Sequence, residues 1–385
     1  MTTCRVCATP ISLALYTSPR EQCVTTMCQV LPHRIDVHFC SHCGHLQTNP
    51  LGDLTTYYND SYRILADSED EDQLYAFAPD GRKIFRTEHQ VSTLFNKATV
   101  PAHARVLDYG CAKASTLREM LKTRPDIVPH CFDVSDLYQP FWNQFVPAAN
   151  CSTHQLKPEW HESFDLVTSF FALEHVEEPR AFAETVASLI KPGGYFYCLV
   201  PNVYANSGDF IVADHVSHFS RTSLHELLAN AGLLPLSIED DAHAAAWVVV
   251  AHKAATAAPN LTRASEVASL ATKCATMAAY WQNFGDAVQA FERDHAKASH
   301  IAIYGSGFYG TCIASSLEHP EKIACFLDQN PFRQKQTLLG NAILAPEALP
   351  ESVQLVYIGL NPAHARKTIQ GMNLWAGRDL DCFYP

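Results

Sequence analysis

From about residue 82 onward, short apolar runs alternate with stretches whose apolar positions recur every three or four residues. ARVLDYG (104–110), HCFDV (130–134), FDLVTSF (164–170), GYFYCLV (194–200) and WVVVA (247–251) read as buried strands. Residues 83–98, STLREMLK (115–122) and AFAETVASLI (181–190) read as helices, the last with Pro179 suited to its first turn and Phe182, Val186, Leu189 and Ile190 on one face. The KPGG turn, Lys191 to Gly194, is expected to end that helix. Strands alternating with helices of this size predict crossover units around a mostly parallel sheet, an α/β fold. A second strand, glycine turn and helix opens at IAIYGSGFYG (301–310), after a break at AATAAPN (254–260) and an Ala-rich helical stretch running to about His295. The first fifty residues lack helical periodicity and are rich in Cys, His, Thr and Pro. The expected division is therefore 1–55, 56–253 and 254–385.

Composition narrows the class. In 385 residues, 47% are hydrophobic and 18% charged, as in an ordinary globular protein, and the formal charge is 28 − 40 = −12. Excess acid repels phosphate backbones and anionic lipid, which argues against nucleic-acid or membrane partners. The longest strongly apolar run, Ala244 to Ala251, is too short to span a bilayer, and the start shows no signal-peptide pattern. Fourteen cysteines without an export signal imply reduced thiols, a cytoplasmic location and a metal in place of a disulfide framework.

Cys4-x2-Cys7 and Cys40-x2-Cys43 are two knuckles 32 residues apart (40 − 7 − 1). Four thiolates complete a tetrahedron around Zn(2+) and leave no open position for water, so a structural zinc is expected, with Cys23, Cys28 and His42 as possible substitutes. In ARVLDYGCAKASTL, a strand, acidic tip, glycine turn and helix follow one another, and Asp133 ends the next strand 25 residues after Asp108. A carboxylate there suits the two hydroxyls of a ribose.

The segment FDLV…LEH…P…LIKPGG…PN resembles class I S-adenosylmethionine-dependent methyltransferases, and HFSRTSLHELLANAGL (218–233) is similar to the helix that follows in them. The resemblance implies that Gly110 and Ala112 wrap the methionine end of the cofactor, Asp108 supports that loop, Asp133 takes the ribose and Phe171 lines the site. That family places glycines near Ala112 and Ala114, where this chain reads GCAKA; a left-handed backbone at either costs an alanine about 1 kcal/mol. The whole layout resembles the zinc-containing nucleotide-sugar C-methyltransferases. That resemblance implies a zinc-binding lobe, a Rossmann-like methyltransferase domain and a C-terminal Rossmann-like substrate-binding domain. It further implies methyl transfer to a carbon beside the ketone of a nucleotide-linked deoxy sugar. On it, Asp214-His215 in ADHVSHFS corresponds to the family's Glu-His pair, His175 to its histidine after the fourth strand, and Tyr58 or Tyr62 to its tyrosine.

The chemistry suits those residue types. A carbon acid needs a base, for which His215 is the candidate with Asp214 beside it, and a stabiliser for the enolate oxygen, which His175 and Tyr62 supply. Tyr58 and His218 are candidate substrate contacts. Gly305-x-Gly307-x-x-Gly310, with Asp328 at the next strand end, is expected to hold a nucleotide or phosphate of the small-molecule substrate, with Arg333 and Lys335 nearby. Read alone, this motif also suits NAD. An O- or N-methyltransferase and a non-catalytic binding protein with a degenerate cofactor loop are the rival readings of the chain.

Overall fold

A computed structural model describes residues 2–11, 13–52, 68–253, 263–372, 375 and 377–385. Tyr58 and Tyr62 lie outside the described residues. The chain groups into two units: 1–14, 38–205 and 215–273 form the first, and 15–37, 206–214 and 274–385 the second. Of the expected zinc lobe, residues 1–14 and 38–52 group with the first sheet and residues 15–37 with the C-terminal part of the chain.

In the first unit, helix α1 (Arg86–Lys97) buries Val91 and Leu94 and precedes β1 (Arg105–Tyr109). There follow α2 (Ser115–Thr123), β2 (Val128–Asp133), β3 (Cys151–Thr153) and β4 (Phe164–Phe170). Helix α3 (Pro179–Leu189), with Pro179 at its start, feeds β5 (Ile190–Pro201). The KPGG residues do follow the helix end, and they are absorbed into β5 as a bulge between Ile190 and Tyr195, which pair with Phe164 and Leu166. Helix α4 (Arg221–Asn230), β6 (Leu233–Glu239) and β7 (Ala246–Lys253) complete the unit. The start of α4 is set by Ser220. Its hydroxyl accepts from Ser223 N–H at 3.1 Å, while its own N–H donates to Ser223 Oγ at 2.8 Å, a capping box contributing about 1 kcal/mol.

The strand order is β3-β2-β1-β4-β5-β7-β6, parallel except for β7, which runs antiparallel to β5 and β6. Apolar side chains fill both faces, and Phe164, Phe196 and Tyr197 are fully buried. This is the near-continuous apolar pattern that the sequence carries. The order reverses at β1, which pairs with β2 on one side and β4 on the other. A crevice for ligands opens at such a switch point, outside the carboxyl ends of the strands. The start of β7 lies at that same edge, since Ala246 pairs with Pro201 at the end of β5.

The two cysteine knuckles have matching backbone bonds. Ala8 N–H donates to Cys4 O and Gly44 N–H to Cys40 O, both at 2.9 Å; Cys4 N–H donates to Thr9 O and Cys40 N–H to His45 O. The strand Leu46–Thr48 after the second knuckle pairs with Ser217–His218.

The second unit carries α5 (Ala264–Asp294) from Cys274 on, β8 (Ile301–Tyr304), α6 (Phe308–Ser316), β9 (Ile323–Leu327), β10 (Asn341–Leu344), β11 (Leu355–Ile358), α7 (Ala365–Met372) and β12 (Asp381–Phe383). Its sheet runs Thr337–Leu338, β10, β9, β8, β11, β12, parallel apart from the first strand. Residues 206–214 are fastened within this unit: Trp281 Nε1 donates to Ser207 O at 2.7 Å and Gly208 N–H to Tyr309 Oη at 2.6 Å. No helix among the described residues is long and apolar enough to cross a membrane.

Candidate active site

The turn after β1 is held open by its own backbone. Gly110 has φ +76°, and Ala112 and Ala114 are left-handed at 45° and 56°, so the two alanines carry the strain that glycine would avoid. Three bonds lock this shape. Ala112 N–H donates to Asp133 Oδ2 at 2.8 Å, Trp142 Nε1 donates to Ala112 O at 2.6 Å, and Ala114 N–H donates to Cys111 O at 2.7 Å. Asp133 is buried at the end of β2, and its other oxygen accepts from Ser135 N–H at 3.1 Å. Each carboxylate oxygen has a second lone pair, which leaves acceptors for ribose hydroxyls. Burial raises the Asp133 pKa, against the pull of those backbone donors. Val134, the next residue, is 54% exposed, an apolar surface beside that carboxylate of the kind an adenine face would pack on. The sequence offered that signal, an apolar residue directly after the acid.

Asp108 sits beneath the loop and is fully enclosed. Thr116 and Thr168 hydroxyls donate to its two oxygens at 2.8 and 2.9 Å, and burial pushes its carboxyl up to about 6. Lys113, absent from the candidates, is buried in the same loop. Its ammonium donates to the carbonyls of Ser68, Glu69 and Glu71, tying the acidic stretch that precedes α1 to the turn after β1.

Sheet order and topology come with a sequence match: the profile of a family described as "Methyltransferase domain" covers residues 82–238. Residues 82–238 thus match a methyltransferase domain. Its architecture is the Rossmann-like α/β fold with a mixed sheet. Curated relatives include the proteins named ubiquinone biosynthesis O-methyltransferase from Xanthomonas axonopodis pv. citri (strain 306) and from Xanthomonas euvesicatoria pv. vesicatoria (strain 85-10). The first is 36% identical over 102 residues, which is 25% of this chain and 43% of the relative. The second is 36% identical over 101 residues, 25% of this chain and 42% of the relative. The chain thus spans less than half the length of these relatives. Similar solved structures include an S-adenosylmethionine-dependent methyltransferase from Mesorhizobium loti (TM-score 0.36, 16% identity, 43% of this chain and 97% of the other). A second is the Burkholderia thailandensis 1,6-didemethyltoxoflavin-N1-methyltransferase with bound S-adenosylhomocysteine (TM-score 0.34, 18% identity, 44% and 78%).

In the methyltransferase domain, the turn after β4 brings Phe171, left-handed at φ 54°, and then Leu173-Glu174-His175 to the carboxyl edge. His175 and His215 are 40 residues apart in sequence, yet their rings meet edge to face with centroids 4.7 Å apart. Ligand atoms of Glu174, His175 and His215 all lie within 4.8 Å of one another, with Glu174 and His215 buried. Such a trio can move a proton and hydrogen-bond a developing anion, and its donor set also suits a divalent ion. Glu174 was not among the candidates, although its place in LEH was plain. His218 is buried in the strand beyond, its ring 6.5 Å from that of His215. Asp214 belongs to the second unit, where Thr26 donates to both of its oxygens, through its N–H at 2.7 Å and through its hydroxyl.

The sulfurs of Cys4, Cys7, Cys40 and Cys43 converge within 4.8 Å of one another, with Cys4–Cys43 at 3.6 Å and Cys7–Cys40 at 3.5 Å. An ion about 2.3 Å from four thiolates spaces them at about 3.8 Å, so the donor set and its spacing fit a tetrahedral soft cation. Hydrogen bonds from Cys4 and Cys43 lower the Cys40 thiol from its ordinary value. The knuckles also hold His215. Thr48 donates through Oγ1 to His215 O at 3.0 Å and through its N–H to Val216 O at 3.2 Å, and Arg5 Nη1 donates to Val216 O at 2.5 Å.

In the second unit the three glycines divide their work. A Cβ at Gly305 would run into Gly359 O and one at Gly310 into Gly305 O, whereas one at Gly307 would meet nothing. The outer two let helix and strands approach, and the middle one faces open space. Asp328 accepts from Ser306 N–H at 3.1 Å and from its hydroxyl at 2.5 Å, and Arg333 Nη2 donates to Ser306 O at 2.8 Å. Arg333 therefore braces the turn, while Lys335 is exposed.

Proposed function

We propose that this protein is an enzyme that transfers a methyl group from S-adenosylmethionine to a carbon next to a ketone of a small, nucleotide-linked substrate. The observation that carries the reading is the His175–His215 pair, edge to face at 4.7 Å with the Glu174 carboxylate beside it, at the carboxyl edge of a methyltransferase sheet. The cofactor supplies an electrophilic methyl group on sulfur. His215 removes the proton from the carbon acid, and the adjacent imidazole of His175 donates to the enolate oxygen that forms. Two imidazoles in contact let one act as base while the other stays a donor. Tyr62 remains a second candidate donor, and Tyr58 and His218 remain substrate contacts. Asp214 anchors the chain immediately before His215 through Thr26. Asp133 holds the ribose, Asp108 and Lys113 hold the loop shape, and Gly110 and Ala112 give the methionine end close approach. Zn(2+) on Cys4, Cys7, Cys40 and Cys43 is structural and keeps His215 in place through Thr48 and Arg5. The turn at Gly305 and Gly307, with Asp328, takes the phosphate-bearing part of a ligand.

The test is His215→Ala in the full chain. Methyl transfer is expected to fall by about 10²-fold or more with S-adenosylmethionine affinity nearly unchanged. In deuterated water, the wild type should exchange the substrate's acidic proton before methylation. A methyl group found on oxygen favours the second reading, an O-methyltransferase, which the names of the Xanthomonas relatives support. A hydroxyl would lose its proton to the same imidazole. Loss of activity on chelation with the four thiolates still metal-bound would instead put a catalytic ion on Glu174, His175 and His215.

A further inference from the structure

One buried imidazole of the first unit has no part in the reading above. His243 precedes β7 at the carboxyl edge of the sheet, where Asn202 N–H donates to Ala245 O at 2.9 Å, and it is only 4% exposed. Three rings surround it: Tyr75 at 5.0 Å, His89 at 5.2 Å and Phe171 at 5.6 Å. Tyr75 is itself stacked on His89 at 4.0 Å, and its hydroxyl accepts from Ala244 N–H at 2.9 Å, so the cage is braced from both sides. His243 Nδ1 lies 3.0 Å from Ala244 O, and because a carbonyl only accepts, the proton sits on Nδ1. Burial pushes the imidazole down to about 4, with His89 and Arg86 adding to the effect, so the ring is neutral near pH 7. Nε2 is then a bare acceptor. It is shut off from water and meets no hydrogen-bond partner among the described residues. A buried acceptor without a donor is costly, and a site that keeps one fits a ligand that supplies the donor.

The surroundings say which donor. A Cβ on Gly110 would come within 2.7 Å of Ala172 Cβ, so the glycine turn that takes the amino-acid end of the cofactor abuts the Phe171-Ala172 turn. Phe171 has His243 against its ring and the Arg86 guanidinium 5.4 Å from its centroid. At an amino-acid end the group that donates is the ammonium, and a neutral imidazole nitrogen without a proton is an acceptor for it.

We propose that His243 is a cofactor-binding residue, its Nε2 accepting a hydrogen bond from the α-ammonium group of S-adenosylmethionine. This rests on the proposed use of that cofactor, and the probes separate the two. S-adenosylhomocysteine carries the amino-acid end, whereas 5′-methylthioadenosine has the same nucleoside and sulfur without it. Calorimetry with both, on wild type and His243→Phe, should show S-adenosylhomocysteine weakened by about 10- to 100-fold, the range for a hydrogen bond to a charged group, and methylthioadenosine unchanged. His243→Gln, whose amide oxygen can accept, should recover part of the loss. A wild type that binds neither probe ends the cofactor reading itself. Equal weakening of both probes marks His243 as a packing residue, and no weakening removes it from the site; either result overturns the proposal. Intact S-adenosylhomocysteine affinity with a raised substrate KM would give Nε2 to a substrate hydroxyl and also overturn it. Should His243→Phe fold poorly, ¹⁵N-histidine NMR of the wild type decides: the Nε2 signal of His243 should move with S-adenosylhomocysteine and stay put with methylthioadenosine.

Discussion

Glycine at the two left-handed alanines should act very differently at the two positions. Both have positive φ, 45° at Ala112 and 56° at Ala114, and the bonds from Asp133, Trp142 and Cys111 prevent the turn from relaxing. Relief of a left-handed alanine is worth about 1–2 kcal/mol. Against it stands the extra freedom that glycine gives the unfolded chain, about 0.4–1 kcal/mol. Ala112 is half-buried, so Ala112→Gly should stabilise the methyltransferase domain by about 0.5–1 kcal/mol, or a Tm rise of about 1–4 °C for a domain of this size. Ala114 is fully buried, and loss of its methyl group costs about 0.8 kcal/mol more, which brings Ala114→Gly close to zero. Differential scanning calorimetry of the full chain, followed at the domain's own transition, measures both. A destabilised Ala112→Gly, or an Ala114→Gly more stable than Ala112→Gly, would refute the assignment of strain to this turn. Cofactor affinity should hold or rise in Ala112→Gly, because the turn keeps its shape.

Other outcomes follow from the same geometry. Elemental analysis should find one zinc per chain, and Cys43→Ser should lose both the metal and methyl transfer, because the knuckle strand bonds His215 O; full activity in a metal-free chain would break that link. The Asp108 carboxyl is raised from 3.8 to about 6, so the folded protein keeps a proton that the unfolded chain has already released. Stability should therefore fall as pH rises from about 4 to 6 and level off above, by at most about 3 kcal/mol at about 1.4 kcal/mol per unit, and denaturant unfolding of Asp108→Asn should lack this slope. Gly307→Val should fold normally and lose phosphate-bearing ligands while keeping S-adenosylmethionine, whereas Gly305→Ala should lower the Tm because its Cβ collides with Gly359 O; calorimetry and ligand titration separate the two.

What this sequence determined alone was local. Apolar runs between glycine turns placed β1, β2, β4, β5, β7 and β8 and the helices between them, because period and turn chemistry act within a few residues. Two Cys-x-x-Cys pairs predicted a four-sulfur cluster, since each knuckle is closed by bonds no more than five residues long. The acid at the end of β2 was legible because only a strand end puts it at the ligand edge. Tertiary structure decided the rest. The strand order, with β7 inserted antiparallel beside β5, depends on which apolar faces bury one another over distances no sequence window spans. The same holds for residues 15–37 and 206–214, which group with the C-terminal part of the chain. His175 and His215 meet only because the turn after β4 and the segment after β5 end at one edge, and His243 joins that edge because β7 runs the opposite way. The left-handed alanines are the clearest case: local preference opposes that backbone, and the Asp133 carboxylate and the Trp142 indole, 21 and 30 residues away, hold it in place.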